Sequence, residues 1–561
     1  MRNNAFWLIL QKLRTPLLVI IVTYSIAILG MVLIPGMDDN GQVYHLTFFD
    51  AFYFVSYMAS TIGFGEAPFA FTYEQKIWVS ICIYLTVVGW FYGIGALVSV
   101  LTNETLKREL MRSTFRKKVL RIQDNFVIVL GYSQINAEII KKFHKAHIEV
   151  VLIDKSEERI NHFLLESLSV DIPMMVGDGL LTDTLIDAGI KLDNCKAIVS
   201  LFSDEEKNLR ISILTRFLNK RVKVLAKSTN QDISHSIIDT DIAKVINPFE
   251  VFAKRLDVAI NSPHLLILEN WIYGNSDLSD KALFLPDGKY IVCGYGRFGK
   301  ALQEKFEKND IPYIFIDEKR IAPKKMIESG TFIRANPDNK DILIEAGIQE
   351  ASCLIVGTKN DIDNLSIMIT ARKINPNIYL IARENTMQEV SIFQEAKIDW
   401  IFIIEQIMVN KTSLAITKPL KHHFLNLLLK ESEHLANSLV KLLRSNIGDK
   451  PILKHLAINK EESYAIYHEI KQGQEVKIEV LQHSLSNWQE INNVIPLLIK
   501  RKDEDILLPK DITLQIGDEL LLACDKEGRE EIELIASNIY ELHYAKYGKE
   551  KKVGILGKFF S

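Results

Sequence analysis

Two apolar runs near the start of the chain contain no charged residue. They extend from Thr15 to Met37 and from Ile77 to Asn103. At about 1.5 Å of rise per helical residue, each can cross an apolar layer about 30 Å thick. The pattern therefore predicts two membrane-crossing helices. The first run ends Ile34-Pro35-Gly36-Met37 and lacks the small-x-small site of a cleaved leader. Between the runs, Phe48 to Ser60 is mostly apolar and aromatic. That stretch is too short to cross and too apolar for a solvated loop, which suits a re-entrant half-helix shielded by neighbouring protein. It leads directly into Thr61-Ile62-Gly63-Phe64-Gly65-Glu66. Glycine tolerates left-handed φ values, so this alternation lets a backbone turn successive carbonyls one way.

After about residue 121 the pattern changes to apolar strands alternating with amphipathic helices, and it is written twice. Phe126 to Ser133 opens one copy and Tyr290 to Gly299 the other. In each, a strand runs into a Gly-Tyr turn and a helix. A second strand then ends in an acid, Asp154 or Asp317, 23 residues after the first glycine. Leu185 to Ile190 matches Leu343 to Ile348, and each copy later carries an Asn-Leu pair (Asn208-Leu209, Asn364-Leu365). Such alternation predicts a parallel, doubly wound sheet per copy. A crossing helix is expected to begin at Asp241–Pro248 in the first copy and at Asp399–Gln406 in the second. From about 440 to 540, short alternating segments with the turn signals Leu508-Pro509 and Ile516-Gly517-Asp518 predict a small β-rich lobe.

The second copy carries the stronger case for a nucleotide. Gly294 suits the turn, Gly296 lets a pyrophosphate approach the backbone, and Gly299 lets helix pack on strand. Phosphates would sit at the positive end of that helix, with Asp317 placed to accept from a ribose diol, which favours NAD or ADP over NADP. Tyr295, Arg297, Phe298, Glu318 and Asn336 complete this candidate site. A candidate second nucleotide site in the first copy comprises Gly131, Tyr132, Ser133, Gln134, Asp154 and Asp178. There Ser133 and Asn136 replace the second and third glycines, and Asn136 is expected to crowd the packing.

Composition narrows the function classes. The 561 residues are too many for one core. With 67 basic and 70 acidic residues, the balance gives no support for a nucleic-acid partner. Five scattered cysteines suit a reducing compartment and give no zinc spacing. Lys12 and Arg14 precede the first run, and Lys107 to Arg121 after the second is basic, whereas the loop between carries only Lys76 as a basic residue among five acids. The positive-inside rule then puts both ends in the cytoplasm. The acidic runs Asp204-Glu205-Glu206 and Asp361-Ile362-Asp363 have no EF-hand spacing, so the metal ligands stay unassigned.

Thr61 to Glu66 resembles the T-V-G-Y-G-D selectivity filter of potassium channels, with Ile62, Phe64 and Glu66 as conservative changes. Phe48 to Ala96 covers this resemblance. It implies that carbonyls of Thr61, Ile62, Gly63 and Phe64 replace the hydration shell of K+. Phe64 lacks the tyrosine hydroxyl that ties the family's filter to its surroundings. Gly89, Gly93 and Gly95 are close-packing positions in a membrane helix, and Gly93–Ala96 resembles the family's gating hinge, with Gly89 and Gly93 as candidates. The duplicated unit, with Gly177-Asp178 and Ala382-Arg383, resembles RCK (TrkA-N, KTN) domains, and the tail resembles their TrkA-C lobe.

The expected fold is thus a membrane α-helical two-span pore with a re-entrant pore helix, plus cytoplasmic α/β. The α/β part comprises two tandem Rossmann-like RCK domains and a small α+β TrkA-C lobe. Expected boundaries are 1–104 for the pore (span 15–37, pore helix 48–60, filter 61–66, inner helix 77–103) and 105–122 for a linker. The two RCK units follow at 123–285 and 286–438, then the lobe at 439–545 and a tail at 546–561. This resemblance implies a non-enzymatic, prokaryotic potassium channel, multi-pass in the bacterial inner (plasma) membrane, a homotetramer in membrane lipid with an eight-RCK gating ring. Its regulators would be NAD or ADP and, as in some members, Ca2+. A membrane-anchored NAD-dependent oxidoreductase is the alternative. Against it, neither Rossmann turn offers an evident catalytic set. A cation antiporter would need many more spans.

Overall fold

The computed structural model describes residues 4–102, 104–166, 171–229, 244–384, 393, 395–502 and 504–551. It divides into two compact units, with the main boundary at Ile122. The first unit contains α1 (Asn4–Leu33), the hairpin β1 (Gly36–Met37) and β2 (Val43–Tyr44), α2 (Phe48–Ala59), α3 (Tyr73–Leu101) and α4 (Glu104–Leu120). Within α1 and α3, Gln11–Leu33 and Tyr73–Val100 are long and apolar enough to cross a membrane. α3 starts before the charge-free run because Thr72 and Gln75 form a reciprocal capping box, which closes the helix end ahead of Glu74 and Lys76.

At 12 residues, α2 is about 18 Å long, too short to span. Thr47 caps it, accepting from the Asp50 N–H at 3.2 Å. Its inner face (Ala51, Phe54, Val55) is buried with Ala27 and Met31 of α1 and Cys82 of α3. α1 and α3 approach closely where Trp78 lies over Gly30; a Cβ on Gly30 would fall 2.0 Å from the indole. The Trp78 Nε1–H donates to Ala27 O at 3.2 Å.

The second unit opens with β3 (Phe126–Leu130), α5 (Gln134–Lys145), β4 (Glu149–Asp154), α6 (Glu157–Glu166), β5 (Met174–Val176), α7 (Thr182–Asp187), β6 (Cys195–Ser200), α8 (Glu205–Leu218), β7 (Lys223–Lys227) and β8 (Lys244–Ile246). These strands form one sheet in the order β5-β4-β3-β6-β7-β8. β3 is buried along its whole length, as a parallel strand covered on both faces requires. α9 (Pro248–Asn261) and α10 (Pro263–Tyr273) follow.

The second copy repeats this. β9 (Tyr290–Cys293), α11 (Arg297–Lys308), β10 (Tyr313–Ile316), α12 (Lys324–Glu328), β11 (Phe332–Ile333), α13 (Lys340–Glu345), β12 (Cys353–Val356), α14 (Asp361–Ile374), β13 (Tyr379–Glu384) and β14 (Trp400–Ile403) lead into α15 (Ile404–Thr417) and α16 (Pro419–Leu428). The order β11-β10-β9-β12-β13-β14 matches the first sheet position for position, and all its pairings are parallel.

The crossing helices begin later than the sequence suggests. Lys244–Ile246 and Trp400–Ile403 are sixth strands, completing their sheets beside β7 and β13. Their β-branched and aromatic residues extend the sheets before the helices start at Pro248 and Ile404. Residues 241–243 lie outside the described part. In each copy the crossing helix breaks before a proline, at Ser262-Pro263 and Lys418-Pro419, where the ring forbids the helical hydrogen bond. α9 packs on α11 of the other copy, and α15 packs reciprocally on α5. Phe252 of α9 lies 4.9 Å from Phe298 and 3.9 Å from Phe402, centroid to centroid.

The tail holds α17 (Glu433–Asn446), β15 (Ile452–Ala457), α18 (Tyr464–Lys471), β16 (Val494–Arg501), β17 (Glu504–Leu507), β18 (Glu519–Cys524), α19 (Lys526–Ser537) and α20 (Ile539–Tyr547). Its strands form an antiparallel sheet ordered β15-β18-β16-β17. A boundary at 439 would cut α17. Asp518 of the Gly-Asp turn is buried and accepts from Arg501 Nε and Nη2, both at 2.8 Å, and from Gln515 N at 2.8 Å. Leu497, Leu498 and Leu521 of this sheet join one core with Leu425 of α16, Leu439 of α17 and Leu268 of α10.

Candidate functional site

In the first unit, Thr61, Gly63 and Gly65 have φ of 62°, 65° and 74°. Left-handed backbone thus recurs at every second residue. Glycine adopts it freely at two of these positions, whereas Thr61 is strained there by about 1–2 kcal/mol. The N–H groups of Ile62 and Gly63 both point back to Tyr57 O, at 3.1 and 3.3 Å. All six residues from Thr61 to Glu66 are exposed in the single chain. The far end of the segment is tied to α2: Tyr57 Oη donates to Glu66 O at 2.7 Å and Tyr53 Oη to Glu66 Oε2 at 3.0 Å. The segment is thus tied to the short helix by two phenols at Glu66, and not at Phe64. Gly89 and Gly93 face α1, where a Cβ would lie 2.9 Å from Thr23 Oγ1 and 2.5 Å from Ile20 Cδ1. Their geometry is that of close-packing positions.

In the second copy, the three glycines differ physically. Gly294 has φ 110°, which only glycine adopts freely. A Cβ on Gly299 would lie 2.3 Å from Gly294 O, whereas one on Gly296 would meet nothing within 4 Å. Gly296 is the N-cap of α11 and, having no side chain, leaves the first N–H groups of that helix uncapped. Open space beside uncapped donors at a helix N-terminus is what a phosphate requires. Asp317 accepts from Tyr295 N at 2.7 Å and from Lys319 N and Arg320 N, each at 2.9 Å. It remains partly exposed, and Glu318 and Asn336 are exposed. Two expected members turn away. The Tyr295 ring is buried against Phe315 and Phe332, its hydroxyl donating to Gln303 at 2.6 Å, and Phe298 is buried at the seam with the first copy. Only their backbones face the turn.

The first copy is built differently. Ser133 caps α5 itself, its Oγ accepting from Asn136 N at 3.3 Å. Asn136 does not clash; its Nδ2 donates to Leu130 O at 3.3 Å and Gly131 O at 2.6 Å, turning the crowded contact into hydrogen bonds. Asp154 is buried, bonded to Tyr132 N and Ser156 N at 2.6 Å each and covered by Arg159 at 3.0 Å. Lys155 pairs with Asp178 at 2.9 Å. Burial pushes the Asp178 carboxyl up, but the Leu180 N–H and Lys155 outweigh it and hold it below the ordinary value. Gln134 is exposed at the start of α5, and Tyr132 packs edge-on to Phe163. Internal cations thus occupy the acids that a ribose would need.

Sequence reasoning missed the seam between the copies. Arg297 leaves its own turn and reaches the first copy, with Nη1 3.2 Å from Glu205 Oε1 and bonded to Thr229 Oγ1. Glu205 also accepts from Ser228 Oγ at 2.9 Å. Arg383 lies 4.9 Å from the Phe249 ring centre and 5.5 Å from that of Phe298. Burial, opposed by Asp361 and reinforced by Arg297, pulls Arg383 down to about 10. Lys227 is also lowered, by burial and then by Arg297. The one signal was the arginine inside the glycine motif. Among the described residues, no group of three or more His, Cys, Asp or Glu could hold a metal ion.

Residues 127–248 and 290–404 each match the TrkA-N domain model. The chain is 38% identical over 97 residues to potassium channel protein 1 of Methanocaldococcus jannaschii (17% of this chain, 29% of that protein). It is 35% identical over 105 residues to the probable potassium channel protein 2 of the same organism (18% and 31%). These matches span under a third of either relative. A solved structure described as the GsuK channel shares the fold with TM-score 0.50 at 14% identity, covering 94% of this chain and 99% of that one. The protein therefore carries the TrkA-N domain twice, over residues 127–248 and 290–404.

Proposed function

We propose that this chain is one subunit of a homotetrameric, potassium-selective channel, and that a nucleotide bound at the second TrkA-N domain sets its conductance. The observation that carries the reading is the segment 61–66. Its left-handed backbone at alternate residues is tethered to a helix too short to cross, between two helices long enough to do so. Four such segments around an axis would line a path with carbonyls that replace the hydration shell of K+. Ile62 and Phe64, each over 60% exposed in one chain, would be covered by neighbouring subunits and by α2. Likeness to proteins described as potassium channels supports the same reading.

The nucleotide belongs at the second copy. There the uncapped start of α11 accepts phosphates and the half-exposed Asp317 accepts from ribose hydroxyls. This chemistry suits NAD or ADP. The first copy would serve as a structural partner, its acids already neutralised by Arg159 and Lys155. Bound ligand shifts the pore only by its difference in affinity between open and closed forms. Two TrkA-N units from each of four chains would make an eight-membered ring beneath the membrane, with both termini cytoplasmic and no catalytic step. The test is flux from liposomes containing the purified protein, with NAD, NADH, ADP, ATP and calcium compared. Potassium should pass far better than sodium and respond to one nucleotide; equal fluxes of the two ions would overturn the filter.

A further inference from the structure

We infer that the junction of α1, α3 and α4 is a docking site for the anionic headgroups of membrane phospholipids. α4 begins only a few residues after the apolar α3 ends, so its first turns lie at the edge of the apolar layer. Over 104–121 the sequence carries seven basic against two acidic residues, in a chain whose net charge is −3. α1 lies against α4. Lys12 and Arg14, which precede the apolar run of α1, are exposed, as are Lys107 and Arg108 in the first turns of α4.

Arg108 pairs with Glu104 at 3.1 Å, with the side chains 79% and 81% exposed. An ion pair in that much water contributes almost nothing, so an anionic headgroup can displace it. Leu110 and Met111, one turn from Lys107, are 46% and 53% exposed and offer apolar contact beside the charges. Basic residues next to apolar ones, directly following a membrane span, match a phosphate headgroup above its acyl chains. A lipid held there would brace α4 against the membrane surface. The inference rests on the two-span, cytoplasmic-ended reading above.

The experiment purifies the full-length protein from mixed phosphatidylglycerol and phosphatidylcholine, then measures co-purifying lipid by mass spectrometry. Phosphatidylglycerol should be enriched. The K12Q/R14Q/K107Q/R108Q variant should retain well over tenfold less of it, since each of the four cations removed contributes roughly a fivefold factor near an anionic surface. The charge-keeping variant K12R/R14K/K107R/R108K should retain it fully, which controls for misfolding. Equal retention of both lipids, or retention unchanged in the glutamine variant, overturns the inference. Displacement by soluble glycerol phosphate at equal affinity does so too, since the site would then be one for free anions. Lipid retention does not depend on potassium flux, so this result and the fate of the channel reading are separate.

Discussion

Tyr53 donates its phenol proton to the Glu66 carboxylate across 3.0 Å, joining the first half of α2 to the last residue of the 61–66 segment. Beside it, Tyr57 holds the Glu66 carbonyl at 2.7 Å. The two bonds fix the outer end of a segment whose own side chains carry no phenol. In the proposed channel they set the spacing of the carbonyls.

Tyr57→Phe should therefore loosen selectivity more than Tyr53→Phe. The first leaves a partly buried carbonyl unpaired, at a cost of about 1–3 kcal/mol, and the second removes a more exposed bond that contributes about 1 kcal/mol. Reversal potentials under potassium and sodium gradients would read the difference. Glu66→Gln keeps an acceptor for Tyr53 and should stay close to wild type. If Tyr57→Phe leaves the potassium preference intact, the ties to α2 are not what holds the filter.

The two acids at the ends of β4 and β10 occupy equivalent places but predict opposite phenotypes. Asp317→Ala removes the acceptor for three N–H groups of the open turn and should weaken NAD or ADP binding by about 1–3 kcal/mol. Asp154→Ala strips a buried acceptor and leaves Arg159 without its counter-charge, so it should lower stability by about 2–4 kcal/mol. Nucleotide affinity should not change there. Calorimetric titration together with thermal unfolding of both variants separates the cases. Loss of binding in Asp154→Ala alone would move the ligand to the first copy.

Much of this was legible because it depends on spacing along the chain. The duplicated strand-turn-helix units, the span lengths and the special place of Gly299 follow from periodicity and from where a Cβ cannot fit. What was not legible depends on partners far apart in sequence. Nothing in the spacing singles out Arg159 and Lys155, which the fold sets on Asp154 and Asp178. The glycine motif marks a backbone path and says nothing of its side chains, so Tyr295 and Phe298 looked like ligand contacts although they face the core. The missing hydroxyl of Phe64 could be read, but the bonds from Tyr57 and Tyr53 of α2 to Glu66 could not, because cross-segment register is set by packing.

α16 should respond to pH in two windows. Burial, reinforced by Lys418 and opposed by Cys524, brings Lys421 down to about 8 from 10.5. Burial, then Lys244, Lys411 and His423, brings His422 down to about 4 from 6.5. Both folded values lie below the unfolded ones, so the unfolded chain takes up the proton first as pH falls. Stability is then lost between about 10.5 and 8 through Lys421, and again between 6.5 and 4 through His422. Denaturant unfolding across pH should show both slopes. Lys421→Met should flatten the alkaline one and His422→Leu the acidic one. A Lys421→Met protein with the wild-type alkaline slope would show that this lysine is solvated.

The seam offers a test of how ligand binding reaches the rest of the proposed ring. Arg297 stands one residue from Gly296, where a phosphate would approach, and yet its guanidinium is anchored on Glu205 and Thr229 of the first copy. Arg297 is 62% exposed and Glu205 14%, so solvent screens the pair, and a double-mutant cycle should return a coupling below about 1 kcal/mol without nucleotide. With nucleotide present the coupling should fall further, because a phosphate competes with Glu205 for the same cation. Arg297→Ala should then bind nucleotide more weakly and also uncouple binding from flux, whereas Glu205→Gln should free Arg297 and tighten binding. The two single variants thus move affinity in opposite directions. If both weaken binding equally, Arg297 acts only by supporting the fold of the turn.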